Sequence, residues 1–151
     1  MSETEGGSLE VVSGRYALER ELGRGGSAVV YLARDLRDDR TVALKVLHQE
    51  FSGSRSAERF GQEIRLLQEF DHPGILTVTD AGEWQGRPFY VMPYVDGESL
   101  QGRLRRERRL PLSEAVRIGQ RLCEALAYAH GRKVVHRDVK PANVMFDAVT
   151  D

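Results

Sequence analysis

The chain has 151 residues, of which 40% are hydrophobic and 30% charged, a composition typical of soluble globular proteins and not of disordered ones. Its formal net charge of -1 provides no overall field that would select nucleic acid or an anionic membrane. The single cysteine, Cys123, excludes an internal disulfide and fits a reducing compartment.

The chain begins with a polar segment that is followed by three predicted strands. Residues 1–14 are small, polar and acidic; they predict a flexible tail and lack the basic and apolar regions of a signal peptide. Alternating apolar residues, or enriched β-branched and aromatic residues, predict short antiparallel strands over 16–22, 28–33 and 41–47. No apolar run approaches the ~18 residues that a membrane-spanning helix needs.

The hydrophobic period then becomes helical. Phe60, Ile64 and Leu67 predict a helix over 57–70, which Pro73 would end. Two more strands are predicted over 76–81 and 88–95. Ser113 is the predicted N-cap of a second helix, which carries a long apolar stripe of the kind that is buried in a complete fold. The stripe comprises Ala115, Ile118, Gly119, Leu122, Cys123, Leu126 and Ala129.

A glycine-rich segment, residues 22–30, joins the first two predicted strands. Glycines allow a backbone to approach a phosphate closely and to present its N–H groups to it. A plain hairpin turn would explain the same residues. The segment is not a dinucleotide-binding fingerprint, because a strand follows it, and not a Walker A loop, because it lacks Gly-Lys-Ser/Thr.

Lys45 lies within an apolar predicted strand, at the end of Val42-Ala43-Leu44-Lys45. Its aliphatic stem can lie along the core, but its ammonium group needs a partner. Lys45 is therefore either a lysine that reaches solvent or a fixed cation directed at phosphates near the glycine segment.

Four motifs, taken in order, resemble the signature of protein kinases. They are Gly23-x-Gly25-x-x-Ala28-x-Val30, Val42-Ala43-Leu44-Lys45, the helical Glu63, and His136-Arg137-Asp138-Val139-Lys140-Pro141-Ala142-Asn143. The resemblance covers residues from about 15 to the end, and the doubled Gly25-Gly26 is similar to the bacterial serine/threonine branch. Ala28 replaces the family's third glycine, which should limit loop flexibility without abolishing nucleotide binding.

The resemblance implies an α+β, protein-kinase-like fold. It comprises a five-stranded antiparallel small lobe with one helix, followed by the first helices and the catalytic loop of an incomplete helical large lobe. The implied division is a tail over 1–14, the small lobe and hinge over 15–95, and the start of the large lobe over 96–151.

The resemblance also assigns roles to a lysine and a glutamate. Lys45 would bind the α- and β-phosphates of ATP, and Glu63 would pair with Lys45 and keep it directed at them. On an exposed helix face, Glu63 would instead pair with Arg59 or Arg65.

The segment 136–143 would supply the remaining catalytic groups. Asp138 would accept or orient the proton of the substrate hydroxyl, Lys140 would contact the transferred γ-phosphoryl group, and Asn143 would ligate Mg²⁺. Arg137 would receive a phosphorylated activation loop, and His136 is interpreted as a packed structural ring.

The implied ATP site combines the glycine segment with apolar residues around the adenine. Val30 and Ala43 would lie on one side of the base and Met145 on the other, with Met92 at the gatekeeper position. The full predicted set is Leu22, Gly23, Arg24, Gly25, Gly26, Ser27, Val30, Ala43, Lys45, Met92, Tyr94, Val95 and Met145. The five arginines of residues 103–109 favour a solvated helix face over a polyanion site.

These features favour a serine/threonine protein kinase that transfers the γ-phosphoryl group of ATP, with Mg²⁺, to protein hydroxyls. No Asp-Phe-Gly occurs before Asp151, so this chain alone is predicted to be an inactive fragment. The helix that begins near Ser113 is expected to expose much of its apolar face in this fragment, because later helices of the family normally cover it. The alternative is a non-catalytic kinase-like module that binds nucleotide or a protein partner. The expected partners are ATP and a protein substrate, without nucleic acid. The expected location is cytoplasmic, with membrane attachment only through a downstream segment of a longer parent chain.

Overall fold

The computed structural model describes residues 9–136 and 139–147. They form two compact units: the first combines the residues up to Glu69 with Thr77–Tyr94, and the second combines Phe70–Leu76 with the residues from Val95 onwards. The described residues contain six strands and three α-helices. Within 9–136 and 139–147, no helix combines the length and the apolar character that a bilayer crossing requires.

An antiparallel sheet forms the basis of the first unit, with the strand order β1-β2-β3-β4-β6-β5. The strands are β1 Val11–Val12, β2 Tyr16–Arg24, β3 Ala28–Asp35, β4 Arg40–Leu47, β5 Asp80–Trp84 and β6 Arg87–Pro93. A short 3-10 turn, Gln49–Phe51, follows β4 and leads to helix α1, Arg55–Glu69. The predicted helix over 57–70 is thus confirmed apart from its ends.

Side chains of β4 alternate between two apolar clusters on opposite faces of the sheet. Leu44 and Val46 belong to one cluster. Leu47 belongs to the other, together with Phe60 of α1. Because Lys45 is two residues from Leu47, it lies on the same face, which is the face that α1 covers.

The sheet has one strand more than the five predicted from the sequence. Val11 lies opposite Ala17 and Val12 opposite Tyr16, and the Val12 side chain is fully buried. The predicted tail over 1–14 is therefore wrong for these two valines. A two-residue strand shows no period in the sequence, and its stability comes from the pairing with β2.

The strand predicted over 76–81 is displaced along the chain, because β5 begins only at Asp80 and continues to Trp84. A two-residue turn, Gln85-Gly86, connects β5 directly to β6, and its φ angles of 53° and 75° are those of a type I′ hairpin turn. Residues 82–87, which separate the two predicted strands, are thus mainly hairpin. The second predicted strand, over 88–95, ends early, at Pro93.

The second unit contains helix α2, Leu100–Glu107, helix α3, Leu112–Gly131, and a 3-10 turn at Pro141–Asn143. Pro111 is the N-cap of α3, and its carbonyl accepts hydrogen bonds from the N–H groups of Glu114 and Ala115 over 3.1 and 3.0 Å. Ser113 therefore lies in the first turn, and its prediction as the N-cap is wrong. The proline carbonyl starts the helix before Ser113.

The expectation that this helix exposes much of its apolar face is confirmed. Among the residues of α3, all of them described, only Ala125 and Ala129 are buried. Cys123 is exposed, as is most of Leu112, at 81%. The buried alanines lie near Tyr128, whose ring packs edge-on against Phe70 at 5.8 Å, so packing within this unit is concentrated at the C-terminal end of α3.

Candidate active site

The glycine segment forms the connection between β2 and β3. Their pairing continues up to Arg24 opposite Val29, and the Gly25 N–H then donates to the Ala28 carbonyl over 2.8 Å. Gly26 and Ser27 are exposed at the tip. The Ala28 side chain is buried in the cluster beneath the sheet face that bears α1, so this methyl group contributes to the core.

The three glycines of this turn are not required by its backbone. Gly23, Gly25 and Gly26 all lack the positive φ angle that side chains disfavour. A Cβ atom would meet nothing within 4 Å at Gly23 or Gly26, and only the Ala28 carbonyl, at 3.6 Å, at Gly25. Absent side chains therefore leave open space over the turn, which fits a ligand that approaches the backbone closely.

Lys45 and Glu63 are brought together by the packing of α1 on β4. The Lys45 Nζ atom lies 3.7 Å from Glu63 Oε1, and the side chains are 29% and 46% exposed. Such a partly exposed pair contributes less than about 1 kcal/mol to stability, so its significance lies in the position of the ammonium group. The ammonium group of Lys45 thus has a partner within the chain, and its direction toward phosphates stays a prediction.

Tyr90 is a third member of this cluster, and sequence analysis does not identify it. Its hydroxyl donates a hydrogen bond to Glu63 Oε1 over 3.1 Å. Burial, and then the Glu63 carboxylate, raise the pKa of Tyr90. The Lys45 ammonium also lies 5.6 Å from the centre of the Tyr90 ring. A strand tyrosine two residues before the predicted gatekeeper carries no signal beyond its apolar context.

The predicted adenine contacts of the first unit lie on the same face of the sheet as Lys45. Val30 is directly opposite Lys45, and Ala43 is directly opposite Met92. Directly opposed residues of an antiparallel pair share a face, and residues two apart on a strand also share it. Strand register therefore places Val30, Ala43, Lys45 and Met92 side by side.

The other predicted nucleotide-binding residues lie near the end of β2 and at the boundary between the two units. Leu22 is half-buried near the end of β2, and Arg24 forms a bidentate pair with Glu21, with distances of 2.8 and 3.1 Å. Tyr94 is the last residue of the first unit, and Val95 begins the longer of the two segments of the second unit. The roles proposed for all of these residues stay predictions.

Catalytic-loop predictions fall in the second unit and are only partly described. Asp138 and Arg137 lie outside the described residues. Lys140 precedes the 3-10 turn, and its carbonyl accepts a hydrogen bond from the Asn143 N–H over 2.9 Å. His136 is exposed, so the interpretation of its side chain as a packed ring is wrong.

Residues after the 3-10 turn are held against the start of α2. The Leu100 N–H donates to the Val144 carbonyl over 2.8 Å, and the Phe146 N–H donates to the Glu98 carbonyl over 3.0 Å. Met145, the predicted second side of the adenine site, forms a β-bridge with Ser99 and is 41% exposed. The chain position of Asn143 is thereby fixed relative to α2.

Arg103 connects α2, α3 and this bridge, although the sequence suggests only a solvated arginine run. It forms ion pairs with Glu107 and Glu114, and its guanidinium lies 5.2 Å from the centre of the Phe146 ring. Its side chain is only 16% exposed, and the hydrogen bond to Glu114 raises its pKa. The interpretation as a solvated face is therefore wrong for Arg103.

Metal-binding capacity is limited in the described part of the chain. Over residues 9–136 and 139–147, no group of three or more His, Cys, Asp or Glu side chains could hold a metal ion. Asn143 is the one metal ligand that sequence analysis predicts.

Comparison with known proteins relates the chain to protein kinases. A family model described as "Protein kinase domain" matches residues 16–151. Serine/threonine-protein kinase PrkC of Bacillus subtilis is 38% identical to the chain over 137 residues, or 90% of the chain and 21% of PrkC. Serine/threonine-protein kinase PknB of Mycobacterium leprae is 39% identical over 142 residues, or 91% of the chain and 23% of PknB.

Solved structures show the same relationship. The crystal structure of the Mycobacterium tuberculosis PknI kinase domain matches with a TM-score of 0.80 and 33% identity. The match covers 95% of this chain and 59% of the PknI chain. The chain thus spans about a fifth of the curated relatives and less than two thirds of that solved kinase domain.

Proposed function

The chain belongs to the protein kinase family, and we propose on this premise that it is the nucleotide-binding part of a serine/threonine protein kinase. The proposed reaction transfers the γ-phosphoryl group of ATP to serine or threonine hydroxyls of a protein substrate. Members of this family generally use ATP and Mg²⁺.

The observation that carries the proposal is the placement of the Lys45–Glu63 pair. The ammonium lies beside the carboxylate that Tyr90 also holds, and next to Val30 on the opposite strand. An apolar surface beside a fixed cation suits a base and its phosphates. Lys45 would bind phosphate oxygens, and Glu63 would stop the lysine from turning to solvent.

In the second unit the proposed roles follow the chain segment 138–143. Asp138 would orient the attacking hydroxyl and receive its proton, and Lys140 would neutralise charge on the transferred group. Asn143 would hold Mg²⁺, which, when bound, offsets the negative charge of the phosphates. Positioning and charge neutralisation supply most of the catalysis in phosphoryl transfer.

Calorimetric titration of the 151-residue chain with ATP, with and without Mg²⁺, tests the proposal. We expect Lys45→Met to weaken ATP binding by about 10- to 100-fold, because a charge-assisted hydrogen bond is lost. The matched control is Lys133→Met, an exposed lysine of the second unit. Equal ATP affinity in the Lys45→Met chain and the unaltered chain would refute the proposed site.

A non-catalytic module that binds nucleotide or a partner is the alternative, and ATP binding alone does not exclude it. Reading the gene beyond codon 151 separates the two. An in-frame Asp-Phe-Gly downstream supports the kinase, because it supplies the second magnesium ligand. An in-frame stop directly after Asp151 supports the module.

A further inference from the structure

His48 contacts both ends of the glycine turn, although neither the motifs nor the proposed reaction involves it. Its ring Nε2 atom lies 3.0 Å from the Gly25 carbonyl oxygen. Its backbone N–H donates to the Ser27 carbonyl over 2.8 Å. A carbonyl oxygen can only accept a hydrogen bond, so Nε2 carries the proton in this contact.

The backbone of His48 is itself held on both sides. The bond to Ser27 continues the β3–β4 ladder one residue beyond the pair Ala28–Leu47. On the other side, the His48 carbonyl accepts a hydrogen bond from the Phe51 N–H over 3.0 Å, which begins the 3-10 turn. The ring therefore projects from an anchored position, and little additional ordering is needed to reach Gly25.

These contacts occupy the carbonyl oxygens of Gly25 and Ser27, whereas backbone N–H groups remain at the tip of the turn. The Gly25 carbonyl accepts a hydrogen bond from the His48 ring, and the Ser27 carbonyl accepts one from the His48 backbone N–H. The Gly25 N–H donates to the Ala28 carbonyl. In the described part of the chain, the N–H groups of Gly26 and Ser27 have no hydrogen-bond partner. Two successive backbone N–H groups in a turn form a binding site for an anion.

We propose that His48 is a positioning residue that holds the glycine turn in the conformation that offers the Gly26 and Ser27 N–H groups to nucleotide phosphates. The identity of the ligand rests on the proposed function above. The contact to Gly25 does not, because both of its groups belong to this chain. His48 would act through the turn and would not touch the reacting atoms.

Three variants of the 151-residue chain test this proposal. His48→Leu removes the ring donor, and His48→Gln retains an N–H donor at a similar distance from the backbone. The matched control is His130→Leu, at an exposed histidine near the end of α3 in the other unit. Amide hydrogen exchange of Gly25, measured by NMR without ligand, reports on the turn, and titration with ADP reports on nucleotide affinity.

In His48→Leu we expect the Gly25 amide to exchange about three- to tenfold faster, as loss of one net hydrogen bond implies. ADP binding should weaken by a similar factor. In His48→Gln, the Gly25 exchange rate and the ADP affinity should stay close to those of the unaltered chain. In His130→Leu, both should be unchanged. Exchange within β4, which reports on global unfolding, should change little in all three variants.

Gly25 exchange that is equal in His48→Leu and the unaltered chain would overturn the proposal. Faster exchange with unchanged ADP affinity would also overturn the positioning role, provided that Lys45→Met does weaken nucleotide binding. If Lys45→Met has no effect either, the proposed nucleotide site fails. The Gly25 exchange rates then still test the His48–Gly25 contact, because they are measured without a nucleotide.

Discussion

The Tyr90 hydroxyl donates a hydrogen bond over 3.1 Å to Glu63 Oε1, the same oxygen that lies 3.7 Å from Lys45 Nζ. The carboxylate is thus held by a neutral donor from β6 and a cation from β4. Tyr90 lies directly opposite Lys45 in the sheet, so one pair of strands positions both groups.

Replacing Tyr90 with phenylalanine removes the hydroxyl and leaves the ring. We expect the free energy of unfolding to fall by about 0.5–1.5 kcal/mol, the usual net contribution of one hydrogen bond. ATP affinity should fall by less than in Lys45→Met, because Lys45 remains. Urea denaturation and ATP titration measure the two effects. Tyr31→Phe, at a half-buried tyrosine of β3, is the control, and an equal loss of stability there would contradict the importance of the Glu63 contact.

Arg103→Leu should destabilise the second unit. The substitution removes the nearer of the two arginine partners of Glu114, whose side chain is 21% exposed, and the cation above the Phe146 ring. We expect a loss of about 1–3 kcal/mol in the free energy of unfolding, because a partly buried charge loses its hydrogen bonds. Urea denaturation followed by helical circular dichroism at 222 nm measures it.

Arg105→Leu is the matched control for this change. Arg105 is an exposed residue of the same helix and has no ion-pair partner among the described residues. Its replacement should alter the unfolding free energy by less than about 0.5 kcal/mol. Equal costs for the two arginines would contradict the connecting role of Arg103.

Asp35 predicts acid sensitivity in the first unit. It is 5% exposed and accepts hydrogen bonds from Arg15 Nε and Nη2 at 2.9 and 2.8 Å. The hydrogen bonds from Arg15 lower the pKa of this carboxyl group. In acid the unfolded chain therefore binds a proton before the folded chain does, and unfolding becomes easier as the pH falls.

The stabilisation by Asp35 should be complete above pH ~4, the ordinary value for an aspartate, and should be lost as the pH falls through the lowered pKa. Asp35→Asn should be less stable at pH 7 but should lose less of its urea midpoint between pH 7 and pH 3. Asp39→Asn, at a carboxylate that is 80% exposed, should keep the pH dependence of the unaltered chain. An unchanged pH dependence in Asp35→Asn would contradict this assignment.

Phosphoryl transfer by the 151-residue chain should be negligible. The sequence contains no Asp-Phe-Gly, so of the two magnesium ligands that the family uses it offers only Asn143. Incubation with radiolabelled ATP, Mg²⁺ and a basic substrate protein should give no more labelled product than the Asp138→Asn chain gives. Magnesium-dependent transfer that Asp138→Asn abolishes would show that the chain is catalytically sufficient.

Part of the candidate site is predictable from sequence because its signals are local. The alternation of Val42, Leu44 and Val46 predicts a strand, and a lysine within it is unusual wherever the strand lies. Glycine spacing likewise predicts a turn before the position of that turn is known. Chemically distinctive residues in a fixed order are sufficient to recognise the family.

Other features depend on partners that are distant in the sequence. Val12 is buried only because Tyr16 and its strand pair with it, and Arg103 is shielded only because Phe146 and Glu114 meet it. The stripe of α3 is different: its period is visible in the sequence, but few described residues pack against it. An apolar period predicts which face can be buried and not whether it is.

By itself the sequence determined the kinase signature, the main strands and helices, and Lys45 as an exceptional cation, since each depends on residues that are neighbours along the chain. Only the tertiary structure decided that Val30, Ala43 and Met92 share a face with Lys45, that Tyr90 holds Glu63, and that His48 reaches Gly25. The physical reason is strand register and helix docking: a shift of one residue would turn each of these side chains to the opposite face.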